Sequence, residues 1–525
     1  MATCWHDYSV DTLIPLQADK YLSDTLNEQI SNIPNDHVGF ITSPKWKGEV
    51  VSGISLPSDH LERVEGWGVS TSSAGYVFRP STLEALYEVF ALARRTGRSV
   101  GFRGAGRSYG DASLNSENIV LDLTRMNRIL DWNPTTGIIK VESGVTIKQL
   151  WEYILPDGWW PAVVPGTMFP TIGGCASMNI HGKNNFVAGP IGDHILEFEL
   201  LSPEGELFRC SREENSEIFR SAIGGFGMLG CFTSITLKTK RIWSGLLEVE
   251  AVNIPNLDAM FTCFEERLNG ADYLVGWIDA FGSGKGLGRG VVHEANYLER
   301  GVDPDPAQTL RIENQQLPDT ILGLLPKSIL WKFMRFFTNN VGVRFVNLAK
   351  FWSSKLLDRG GTFRQSHAAF AFLLDYVPNW KKSYGKGGLI QYQSFVPKET
   401  ARHVFRAQLE LCQKRGFPSY LAVFKRHRAD EFPMSHALDG YSLALDFKVT
   451  RKNRDKIWRL ASEMNRLVLD GGGRFYFAKD STLKPEDARE FLGDKTLADF
   501  VLLKQRLDPR GILETDLAKR LFGSK

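Results

Sequence analysis

The chain has 525 residues, 43% hydrophobic and 23% charged, which is long enough to bury more than one core. Its net charge of +3 is too small to mark a nucleic-acid binder, and its six cysteines include no CxxC pair, which argues against a structural zinc site or a dense disulfide framework. Reduced cysteines and an N-terminus with neither a basic nor an apolar signal region predict a cytoplasmic protein, and no uncharged apolar run is long enough to predict a spanning helix.

Residues 1–59 carry few signals and read as an N-terminal extension. Ser81 and Glu84 have capping-box spacing. Leu83, Leu86, Tyr87, Phe90 and Ala93 then recur at helical spacing, and Gly97 ends the helix. Arg98 to Phe102 reads as a strand running into the glycine-rich stretch Gly101 to Asp111. Ile119–Leu123 and Ile138–Glu142 read as strands, and Val145 to Leu155 as a short helix. A second glycine loop spans Pro165 to Gly174, followed by Asn179, His181, Gly182 and Asn184. A third group, Gly224 to Gly230, precedes an alternating strand from Cys231 to Leu237. Glycine lets backbone N–H groups approach phosphate oxygens, so several such loops point to a large phosphorylated cofactor. The spacing fits neither GxGxxG nor GxxxxGK[ST].

In the second half, Gly388 to Val396, Ser419 to Lys425, Tyr441 to Lys448 and Arg474 to Ala478 read as strands. Glu399 to Arg415 and Arg451 to Asp470 read as helices. The order β-α-β-β-α-β is that of a ferredoxin-like unit. Strand alternation puts Gln391, Gln393, Lys425 and Asp446 on its helix-free face, with Lys479 at the end of the last strand. That face is either a substrate site or a solvated surface. Between the halves, residues 321–357 carry Lys327, Lys332, Arg335, Arg344, Lys350 and Lys355 with no acidic residue and many aromatics. Such a segment suits an anionic membrane surface, or it forms core-packed helices with basic outer faces.

The three glycine loops, in this order, resemble the vanillyl-alcohol-oxidase family with its PCMH-type FAD-binding fold. The resemblance implies an α+β protein with a split FAD-binding domain (60–241 and 474–525) around a substrate domain (242–473) holding an antiparallel sheet flanked by helices. It implies FAD contacts from Arg103, Gly104, Ala105, Gly106, Arg107, Ser108, Tyr109, Gly166, Thr171, Ile172, Gly173, Gly174, Asn179, His181, Gly182, Asn184, Gly189, Ile191, Gly225 and Gly227, with Ala188 to Gly192 near the flavin ring. Many relatives attach FAD through a histidine where this chain has Arg107, so the cofactor is expected to be non-covalent.

Leu389 to Gln393, Val423 to Lys425, Phe477 to Ser481 and Thr515 to Leu521 narrow the likeness to the decaprenylphosphoryl-β-D-ribose oxidase family. Ala444 stands where mycobacterial members have cysteine, and residues 283–365 differ from them in length and content. The resemblance implies hydride transfer to flavin N5 from a secondary hydroxyl of a sugar, as the first half of a C2 epimerisation in cell-wall polysaccharide synthesis. The sugar would be a polyprenyl-phosphate-linked pentose or a smaller free sugar, and a short-chain reductase partner would finish the epimerisation. Lys479 is the implied catalytic residue, with His181 a second base and Gln391, Gln393, Lys425, Asp446 and Lys479 as substrate contacts. An aldonolactone or alditol oxidase, a sterol-type reductase, or a flavin-binding protein without catalysis are the alternatives.

Overall fold

The computed structural model describes residues 56–318, 320–321, 325–357 and 361–523. The N-terminal extension therefore lies outside the described residues, apart from its last four positions. The protein is α+β. A four-stranded sheet has the order Leu61–Glu65, Ser72–Phe78, Ile119–Asp122, Val100–Arg103, with its last three strands parallel. The helix Leu83–Thr96 packs Leu86, Val89, Phe90 and Ala93 into the core beside it. The expected capping box does not form: Thr82 rather than Ser81 is the cap, accepting from the Ala85 N–H, so Glu84 falls one position short of the box. Gly97 closes the helix with φ 65°. A five-stranded antiparallel sheet follows, ordered Ile129–Asn133, Ile138–Glu142, Cys231–Lys238, Ile195–Leu201, Leu207–Ser211. The helix Ile147–Ile154 carries a complete capping box between Thr146 and Gln149.

The second half is wider than the sequence reading. The strands Leu389–Pro397, Ala422–His427, Gly440–Lys448 and Arg474–Phe475 form the expected antiparallel unit, covered by the helices Lys398–Lys414 and Arg454–Asp470. Four more strands extend it beyond Ala422–His427: Tyr273–Ile278, Gly290–Tyr297, Leu246–Ile254 and Phe363–Ser366, making one eight-stranded sheet. The last expected strand is short. It ends at Phe475, and the chain turns through Tyr476 to Lys479, where the Lys479 N–H donates to the Tyr476 carbonyl at 2.9 Å.

The C-terminal stretch returns to the first half. The Val100 N–H donates to the Ile512 carbonyl at 2.7 Å, and the Glu514 N–H donates to the Val100 carbonyl at 3.0 Å. Arg520 bridges Asp111, at 2.8 Å, and Asp480, at 2.7 Å. Residues 327–357 form two helices, Lys327–Phe337 and Asn340–Leu357. Among the described residues no helix is long and apolar enough to cross a membrane.

Candidate active site

A cavity of about 770 Å³ lies where the glycine loops meet the helix-free face of the large sheet. One wall is the first loop, Gly104 to Tyr109, with Ser143, Gly166, Thr171, Gly173, Gly174 and Gly227. The loops are close-packed against each other: a Cβ on Gly104 would stand 2.1 Å from Thr171 Oγ1, and one on Gly173 2.7 Å from Ser143 Cβ. Gly106 has φ +60°, a conformation that favours glycine. This wall leaves the buried Arg107 Nε and Ser143 hydroxyl without a hydrogen-bond partner in the protein. Buried polar atoms are normally hydrogen-bonded, so these groups await a polar ligand. A dinucleotide between narrow glycine loops fits that requirement, and FAD suits the residues present.

The opposite wall carries the sequence-predicted substrate side chains. Gln391, Gln393, Lys425 and Lys479 line it, with Ser442 and Ala444 between them. Gln391 Nε2 donates to Asp446 Oδ1 at 2.6 Å, and Gln393 Nε2 donates to His181 Nε2 at 3.1 Å. Lys479 is held over the Tyr109 ring, 3.8 Å from its centroid. Its turn is tied to the first glycine loop, because the Tyr109 N–H donates to the Ala478 carbonyl at 2.8 Å.

Electrostatics at this wall favour neutral forms. Burial, opposed by Asp446 and reinforced by Lys425, brings the Lys479 ammonium down to about 7. Burial lowers Lys425 to about 8 and raises Asp446 to about 7, although Gln391 and Lys479 oppose the latter. Burial, reinforced by Lys425, His427 and His436, holds His181 well below its usual range, so its ring is neutral. His181 Nε2 then accepts from Gln393, while its buried Nδ1 has no protein partner.

Several expected contacts lie elsewhere. Asp446 stands opposite Gln391 across the strand pair, fully buried and outside the cavity lining. Arg103 donates to Ser113 and to the Glu65 carbonyl, which braces the first loop from behind. Ile172 and Ile191 are core residues. Asn179 ties Asp430, Ser435 and the Gly192 N–H together, and Asn184 Nδ2 donates to the Ala162 carbonyl. Gly182 and Gly225 pack against backbone outside the lining, and Gly189 sits by the Asp193–Arg428 ion pair. Ala188 to Gly192 lie outside the cavity lining.

Other lining residues escaped the sequence reading. Lys183, His293, Trp277 and Lys350 line the cavity, as do Leu373, Leu374 and Asp375 from the stretch after the helix His367–Ala371. Asp375 accepts from Thr167 Oγ1 at 2.7 Å and the Met168 N–H at 2.8 Å, which ties that stretch to the second glycine loop. Arg107 is stacked between Trp67 and Phe169, its guanidinium carbon 4.2 and 4.9 Å from the ring centroids. Trp277 and Asp375 sit in regions where no motif or period stood out, and Lys350 was read only as part of the basic segment 321–357.

Residues 74–211 match the sequence family described as FAD binding domain. The chain is 29% identical over 470 residues to decaprenylphosphoryl-beta-D-ribose oxidase of Mycolicibacterium smegmatis, covering 88% of this chain and 97% of that protein. It is 27% identical over 176 residues to D-arabinono-1,4-lactone oxidase of Yarrowia lipolytica, 33% of each protein. It is 26% identical over 161 residues to L-gulonolactone oxidase of Bos taurus, 31% of this chain and 36% of that one.

Proposed function

From the premise that this chain is an FAD-dependent oxidoreductase similar to decaprenylphosphoryl-β-D-ribose oxidase, we propose that it oxidises a secondary hydroxyl of a polyprenyl-phosphate-linked pentose. FAD, held non-covalently, supplies the acceptor for the carbinol hydride. Lys479 takes the hydroxyl proton, and Lys425 helps to keep its amine neutral. With their amide nitrogens tied to Asp446 and His181, Gln391 and Gln393 keep their carbonyl oxygens for sugar hydroxyls. His181 orients Gln393 and is the second candidate base. The observation that carries this reading is the convergence of Lys479, Lys425 and the two glutamines on the cavity that the glycine loops wall.

The substrate assignment draws on the relative that spans nearly the whole chain; the lactone oxidases match over about a third. A short-chain reductase is proposed to take the keto product. The division into an FAD-binding part, 60–241 with 474–525, around a substrate part, 242–473, is kept as a proposal. So is a peripheral contact of the two helices within 321–357 with an anionic membrane. Their outer faces expose Phe336 at 79%, Val341 at 80% and Phe345 at 63%, beside the exposed Lys332, Arg335 and Arg344. Two of the six cations there point elsewhere: Lys327 is buried 4.6 Å from the Tyr376 ring centroid, and Lys350 faces the cavity. The Lys355 side chain lies outside the described residues.

The test is anaerobic reduction of the flavin by polyprenyl-phosphate pentoses, free sugars, aldonolactones and NADPH. Bleaching by the lipid-linked pentose, lost in Lys479→Ala with FAD retained, is the expected result. Bleaching by a lactone or NADPH alone, or full activity of Lys479→Ala, overturns the assignment.

A further inference from the structure

The basic side chains of the cavity are spread over several strands rather than gathered at a single site. Lys479 and Lys425 stand near the glycine loops and the glutamines. Beyond them lie Lys183, from the loop after the second glycine motif, His293, from the strand Gly290–Tyr297, and Lys350, from the helix Asn340–Leu357. Lys350 Nζ lies 4.1 Å from the Trp277 ring centroid, over the strand next to the one that carries Lys425. Lys183 Nζ donates to the Phe370 carbonyl and stands 4.3 Å from the centroid of its ring. His293 pairs in register with Val275 and lies within electrostatic reach of both lysines.

Lys183 is held by a backbone carbonyl, and Asp279, which Asn347 of the Lys350 helix contacts, is paired with Arg289. Asp375, the carboxylate that does line the cavity, is engaged by Thr167 and Met168. Burial, reinforced by Lys425, holds Lys183 well below the usual lysine range. Lys350 is exposed at the cavity rim, while burial, reinforced by Lys350 and Lys183, lowers His293 to about 4. Burial thus disfavours the charged forms of Lys183 and His293, and an anionic ligand placed among them would favour those forms again.

Position separates this outer group from the sugar site. Neighbouring strands lie about 4.8 Å apart. The Lys425 strand is two steps from the glutamine strand and the Trp277 strand three, or about 10 and 14 Å. A pentose on the glutamines would present its glycosidic phosphate to Lys425 and leave the outer group unoccupied. We propose that Lys183, His293 and Lys350 form a second phosphoryl-binding subsite, over the first and second strands beyond Lys425. Its occupant is either the distal phosphate of a diphosphate-linked substrate or the headgroup phosphate of an anionic lipid at the cavity mouth. The proposal rests on the cavity being the substrate site, but its test does not need turnover.

The FAD-loaded enzyme is titrated with inorganic phosphate and with pyrophosphate, read by equilibrium dialysis, and co-sedimented with phosphatidylcholine vesicles with and without phosphatidic acid. The variants are Lys350→Met, His293→Gln and Lys350→Arg, each checked for unchanged flavin content. Pyrophosphate binding at least tenfold tighter than phosphate, lost in Lys350→Met and His293→Gln and kept in Lys350→Arg, supports the subsite with a diphosphate as its ligand. Equal binding of the two soluble anions, with acidic-vesicle binding lost in the same two variants, supports it with a lipid headgroup as its ligand. Unchanged affinity of the two variants for all three probes overturns it. Failure of every sugar to bleach the flavin would overturn the proposed reaction and leave this binding result standing.

Discussion

At the scale of single residues, the proposed reaction puts its proton chemistry on Lys479 and Asp446. Lys479 acts as a base when neutral, so flavin reduction should rise with pH through about 7 and then level off. The Asp446 carboxylate raises the proton affinity of Lys479. Asp446→Asn keeps an oxygen to accept from Gln391 but removes that charge, so the half-maximal rate should move to lower pH. Rapid-mixing reduction across pH 5 to 9 reads this, and an unshifted curve would separate Asp446 from Lys479. Lys479→Ala should lose the pH-dependent limb and about 10²- to 10⁴-fold in rate. At Arg107, an acid-precipitated pellet should be colourless, with the flavin in the supernatant. These residues were legible in the sequence because chemistry and strand period agreed: Gln391, Gln393 and Lys425 fall on one face by alternation alone. Asp446 obeyed the same parity, yet depth is invisible to a period of two, and it lies outside the cavity lining.

At the scale of elements, the turn carrying Lys479 and the first glycine loop act as one piece. A Cβ on Gly110 would stand 1.9 Å from the Asp480 carbonyl oxygen, a backbone atom that cannot swing aside. Gly110→Ala should therefore push the turn away, cost about 1–3 kcal/mol of stability, and lower turnover more than FAD content. Denaturant unfolding and flavin titration check both effects. The helices and central strands were readable because they are long and periodic. The fourth strand of the ferredoxin-like unit was overread by three residues, since apolar alternation at Tyr476 to Ala478 serves a buried turn as well as a strand. The outer four strands went unread. Their pairing joins segments from 246 to 366, and no local signal marks such partners.

At the scale of the whole molecule, the helices at residues 327–357 contribute Lys350 to the cavity lining and present an exposed aromatic and cationic face. Each exposed cation near an anionic bilayer contributes about 1 kcal/mol. Phe336→Ser with Phe345→Ser should reduce co-sedimentation with acidic vesicles and leave reduction by a soluble substrate unchanged. Equal pelleting of variant and parent would remove the membrane reading. The glycine loops made the cofactor half legible, whereas the position of the helix Asn340–Leu357 against Trp277 depends on tertiary packing that composition does not encode.

The Asp111–Arg520–Asp480 bridge has a consequence for biosynthesis. A ribosome adds about 5–20 residues per second, so Asp111 waits on the order of tens of seconds for an arginine made 409 positions later. Until then the nascent protein carries an open nucleotide cleft whose acidic anchor lacks its cation. Chaperone occupancy, and rescue of yield by slower expression at low temperature, should concentrate on that interval.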